Sequence, residues 1–136
     1  MKASDFRIGN IVYSKINGLS KVEQVGHSLC HNYTGGRSLA GNFWENNYFP
    51  VELSVKWFVY FGFKKTVLTD NSGHFYTLDL NDDIHCDLCF CSNDKNGYIE
   101  LVLFPYEDFF RYKYVHELQN LYFSLTGTEL KLNMEL

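Results

Sequence analysis

The 136-residue chain has only two prolines, no long apolar run and no dense basic cluster. Each shortage removes a class of protein. A membrane-spanning helix needs about 20 consecutive apolar residues, and no such run is present. The opening MKASDFRIGN has no apolar core of the kind a secretory signal requires, so a cytosolic location is expected. Duplex nucleic acid is a poor partner, because neutralising many phosphates takes a basic stripe and the longest cluster here is Lys64 with Lys65. Four cysteines could make two disulfides by count, but without a secretory signal they are expected as thiols. The Walker loop, the dinucleotide fingerprint and the Gly-x-Ser-x-Gly elbow are all missing, which leaves no signature of nucleotide hydrolysis, hydride transfer or serine hydrolysis.

What the chain does have is aromatic surface: 12 Phe, 10 Tyr and 2 Trp, too much for a disordered chain to leave in water. A chain this long can bury roughly 70% of its unfolded surface and needs no metal or disulfide to hold a core. One domain over 1–136 is expected. Charge is divided unevenly along it. Residues 1–68 hold eight Lys or Arg and four acids, a balance of +4, so with a total of −4 the remainder carries −8. An anionic ligand would therefore dock on the N-terminal half, where fewer carboxylates oppose it.

The pattern along the chain predicts an α+β fold: a small antiparallel sheet or partial barrel, one short central helix, and a C-terminal amphipathic helix packed on the sheet. Residues 1–50 read as N-terminal strands and a long loop, with Asn17-Gly18 as a hairpin turn whose centres need positive φ. In 51–63, Ser54 is placed to cap a helix, Leu53 and Phe58 to staple it, and Gly62 to end it, with Trp57, Phe58 and Phe61 on the buried side. Strands at 65–69, 74–80, 84–91 and 98–104 are separated by turn-forming residues at 70–73, 81–83 and 93–97, and so predict an antiparallel meander over 64–105. A closing helix over 112–127 follows from Val115, Leu118, Leu121, Tyr122 and Leu125 at spacings of three and four, stopped by Gly127. His116, Glu117, Gln119 and Asn120 fall off that stripe and are expected on a solvated face.

The segments KASDFRIGNIVY, FPVELSVKWFVYFGFKK and YKYVHELQNLYFSLTGTEL resemble those of a widespread group of small proteins encoded by phages and prophages of Bacteroidetes. The likeness covers about a third of the chain. It departs at the first helix, where the group has an acidic first turn and this chain has Val55 and Lys56. The resemblance implies a phage or prophage context and a bacterial host cytosol, and it implies no activity.

Two constellations bear on chemistry. Cys86-x-x-Cys89, with Cys91 beside it and Cys30, His27 or His31 to complete a tetrahedron, has the composition of a zinc site. If 84–91 is a strand, however, Cys86 and Cys89 point to opposite faces, so no metal site is expected. Cys30 with His27 or His31 could pair a thiol with a base, but sequence adjacency provides no geometry, and no catalytic residue or cofactor is assigned. The other constellation is Tyr33-Thr34-Gly35-Gly36-Arg37-Ser38 with His27, His31 and Trp44, inside the irregular stretch 26–49. Gly35 and Gly36 could turn successive N–H groups onto an anion, Arg37 could clamp a phosphate, and Tyr33 or Trp44 could stack on a base. A plain turn accounts for the glycines as well. The reading that follows is a non-enzymatic binder of a small anionic, nucleotide-like ligand such as a host immune signal. The alternative is a protein-interaction domain. Either is expected to form a homo-oligomer, since a short meander leaves strand edges to cover.

Overall fold

The computed structural model describes residues 6–22, 24–26, 38–40, 48–67, 74–81, 86–93, 98–104, 106 and 108–134. Among them the fold is α+β, built from small sheets and two helices, and none of the sheets closes into a barrel. The strands are β1 (Ile11–Ser14), β2 (Gly18–Lys21), β3 (Gln24–Gly26), β4 (Ser38–Ala40), β5 (Tyr48–Pro50), β6 (Lys64–Val67), β7 (His74–Asn81), β8 (Cys86–Asn93), β9 (Ile99–Phe104) and β10 (Asp108–Tyr112). The helices are α1 (Val55–Tyr60) and α2 (Val115–Thr126). The chain divides into two compact units, one of residues 1–52, 114–120 and 136, the other of 53–113 and 121–135.

In the first unit β1 is the central strand of an antiparallel sheet ordered β2-β1-β5. Its hairpin to β2 exists where Asn17-Gly18 predicts one, but the loop is Lys15 to Asn17 and Gly18 pairs with Ser14. The buried Ser14 hydroxyl accepts the N–H groups of Ile16 (3.2 Å) and Asn17 (3.3 Å), which fixes a three-residue turn, and Gly18 opens β2 at φ 70°. Alternation along β1 sends Val12 and Ser14 inward, where Val12 clusters with Phe6, Val22 and Tyr48, and turns Tyr13 outward. A separate two-stranded pair, β3 with β4, is parallel, whereas the sequence predicts only antiparallel strands and reads 26–49 as a long loop.

Two ends of the sequence meet in this unit. The Arg7 to Asn10 turn is closed by the Arg7 N–H donating to Asn10 Oδ1 (2.7 Å) and the Asn10 N–H donating to the Arg7 carbonyl (3.1 Å). Asn120 Oδ1 accepts from both Arg7 Nε (3.1 Å) and Asn10 Nδ2 (3.0 Å). Gln119 Oε1 accepts the Ile11 N–H at 2.8 Å, while its Nε2 donates to the Gly9 carbonyl at 3.3 Å. The solvated face expected for these positions is therefore corrected: Gln119 and His116 are both buried, the amide because it satisfies backbone groups, the imidazole because it packs between the rings of Phe6 (4.4 Å) and Tyr114 (5.7 Å). The start of α2 is fixed by Glu117, whose carboxylate accepts the Tyr114 N–H at 2.8 Å in the manner of a capping box.

In the second unit the meander is a five-stranded antiparallel sheet ordered β10-β9-β8-β7-β6. Ile99, Leu101 and Leu103 of β9 alternate onto one buried face, and Tyr76 of β7 is buried as well. The opposite side carries two cross-strand ion pairs, Lys64 with Asp79 (3.5 Å) and Arg111 with Glu100 (3.9 Å), with Glu100 half-buried and the other three side chains mostly exposed. Such pairs contribute about 0–1 kcal/mol, and Val102 on the same side of β9 as Glu100 is buried, so this face is solvated only in part. α1 buries Trp57 and Phe58 as its spacing predicts, with Phe58 stacked over Tyr76 at 6.2 Å.

The end of α1 follows the glycine signal closely. Gly62, at φ 81°, donates to the Val59 carbonyl, Phe63 donates to the Phe58 carbonyl, and the Phe58 and Phe63 rings meet edge to face at 4.9 Å. Those are the paired bonds and the apolar contact of a Schellman ending. Its beginning differs from expectation. Ser54 occupies the N-cap position, but its hydroxyl makes no capping bond, and the Trp57 N–H is donated to the Ser54 carbonyl at 2.9 Å instead. α2 ends at Gly127 as predicted, with φ 71° and an N–H donated to the Phe123 carbonyl.

Candidate functional site

The residues singled out in sequence as a ligand site, His27, His31, Tyr33, Gly35, Gly36, Arg37 and Trp44, lie outside the described residues, as do Cys30 and the turns at 70–73 and 94–97. Cys86, Cys89 and Cys91 all fall within β8, a strand as the alternation argument assumed. Among the described residues no group of three His, Cys, Asp or Glu side chains could hold a metal ion, and no helix is long and apolar enough to cross a membrane.

The described surface nevertheless carries a chemically distinctive patch, the outer side of the β2-β1-β5 sheet. In an antiparallel pair, residues directly opposite one another share a face. Tyr13 is opposite Leu19 on one side and Phe49 on the other, so Leu19, Tyr13 and Phe49 form a row across three strands. Tyr13, on the central strand, is 46% exposed, and Phe49, on the outer strand β5, is 37% exposed. The Lys15 ammonium stands 5.3 Å from the Phe49 ring centroid, and exposed Lys21 shares the face, opposite Ile11. The face closes toward Ile11, which is buried and bonded through its N–H to Gln119, and opens toward the hairpin tip, where Ile16 is 76% exposed.

Local chemistry explains why the row stays exposed. Val12 and Ser14 of β1 and Tyr48 of β5 fill the inner side, so alternation puts Tyr13 and Phe49 on the other face, where Ile11 is buried and they are not. Two π faces, an apolar neighbour and two ammonium groups can stack a planar ring and hold a negative charge beside it. Among its described residues the face carries no carboxylate, imidazole or thiol; its polar groups there are the Tyr13 hydroxyl and the Lys15 and Lys21 ammonium groups.

A second exposed feature is β10, an edge strand of the five-stranded sheet, with no described strand on its outer side. Phe109 on it is 73% exposed and Tyr106 just before it is 61% exposed. Sequence reasoning missed both features. The Tyr13 row was hidden because its three members are distant in sequence and only the strand register aligns them. β10 was hidden because Phe109 and Phe110 are adjacent and blur the alternation.

No family model, no curated protein and no solved structure matches the chain.

Proposed function

We propose that this chain is a non-enzymatic binding protein for an anionic, nucleotide-like ligand, in a phage or prophage context a host immune signal. The observation carrying this reading is the in-register Tyr13–Phe49 pair, exposed and flanked by Lys15 and Lys21. A base would stack on the rings while the ammonium groups neutralise its phosphate. The excess of positive charge in residues 1–68 favours the same half of the chain. Arg37, Tyr33 and Trp44 belong to that half too and could add a clamp and a further stack.

Thermal melting against a nucleotide panel tests the proposal. A ligand bound only by the folded state at a hundred times its Kd stabilises by about 2.7 kcal/mol, which for a chain of this size raises Tm by roughly 5–10 °C. If no nucleotide moves the midpoint, the reading is wrong.

A second reading, a protein-interaction domain that also self-associates, is favoured by the β10 edge with its exposed Phe109. Unpaired edge N–H and C=O groups accept an added strand, and an aromatic beside them gives that strand something to bury.

A further inference from the structure

Resting on the anionic-ligand reading, we infer that the outer face of the β2-β1-β5 sheet is a stacking platform for single-stranded nucleic acid rather than a receptor for one free nucleotide. Three features of the face lead there.

The first is its shape. Sites that hold small molecules tightly are concave and bury most of the ligand. Leu19, Tyr13 and Phe49 instead form a row across a sheet surface, with Tyr13 46% and Phe49 37% exposed. One base on such a surface stays largely in water. A strand gains from several bases at once, each stacked on its own π face.

The second is spacing. Neighbouring strands lie about 4.8 Å apart, so the row spans roughly 10 Å and offers two aromatic faces and an apolar edge in succession. Consecutive bases of an extended strand can take these positions in order. A duplex cannot use them, because its bases face one another inside the helix, and the absence of a basic stripe disfavours it independently.

The third is charge. Lys21 shares the strand positions of the face and Lys15 reaches over Phe49 from the hairpin, while no carboxylate occupies a described position of that face. That composition complements a phosphodiester backbone at two points. An incoming base on Phe49 displaces the Lys15 ammonium outward, toward the phosphate that base carries.

Fluorescence anisotropy of end-labelled U8 and dT8 with the full chain reads this directly, with an eight-base-pair duplex and the matching mononucleotides as competitors. Both octamers are expected to bind, the U8 and dT8 arms showing whether RNA or DNA is preferred, and the mononucleotides to compete at least tenfold more weakly. Two phosphate contacts predict a slope of log K against log salt of about −1.4. Phe49→Leu and Tyr13→Leu keep apolar bulk but remove a π face, and each should weaken binding by roughly 5- to 100-fold. Tyr13→Phe keeps the face and should bind as the parent does, which separates stacking from folding. If a mononucleotide binds as tightly as its octamer, the platform inference fails and the anionic-ligand reading stands. If neither binds, both fail. Octamer binding unchanged in a Phe49→Leu protein that melts like the parent would overturn the platform as well.

Discussion

Gln119 shows how a polar residue can be a core residue. It is 2% exposed and its amide is used from both ends, the oxygen by the Ile11 N–H and the nitrogen by the Gly9 carbonyl. Buried backbone groups must find partners, and where β1 begins no strand supplies these two. Replacing Gln119 with Leu keeps the bulk and strands both groups, at about 1–3 kcal/mol for each one left unsatisfied. Chemical denaturation of Gln119→Leu should show a loss of at least about 2 kcal/mol, and a change below about 0.5 kcal/mol, typical of a surface site, would contradict this account of the Arg7 to Asn10 turn. Asn120 belongs to the same network through Arg7 and Asn10. The RIGN and HELQN segments are thus bonded to one another. Hydrophobic periodicity alone could not reveal this, because it assigns every polar helical position to water, whereas the Arg7 to Asn10 turn offers polar groups for these amides to satisfy.

Among the elements, those governed by local rules were legible in sequence. Gly62 and Gly127 end their helices at positive φ because only glycine adopts that backbone without strain, and the meander follows from strand-length runs separated by turn residues. Elements defined by pairing were not. The parallel β3–β4 pair depends on residues twelve or more positions apart, and the Leu19–Tyr13–Phe49 row exists only once two registers are set. The segment 27–37 with Trp44, which the sequence offers as a candidate ligand site, lies outside the described residues, so the structure bears on it only through the sheet beside it in sequence. β10 is the element with a prediction of its own. It is a sheet edge of five residues that keeps Phe109 73% exposed, and under the second reading proposed above it would receive a second copy or another chain. If it mediates self-association, sedimentation should show a concentration-dependent dimer that Phe109→Lys returns to monomer. A parent protein that sediments as a monomer at every concentration removes the homo-oligomer from the account.

For the whole molecule, charge and aromatic placement agree. The half that carries the net positive charge also holds the exposed Tyr13–Phe49 pair, while acids dominate the remainder. In the proposed reading, attraction of an anion to this half and stacking on the exposed rings would act together. NMR chemical-shift mapping of the full chain during titration with U8 locates the ligand residue by residue and therefore tests the central claim most directly. The account predicts that the largest shifts fall on Tyr13, Phe49, Leu19, Lys15 and Lys21 and weaken as salt rises. Shifts concentrated on Phe109 and the rest of β10, or no saturable shifts anywhere, would contradict it.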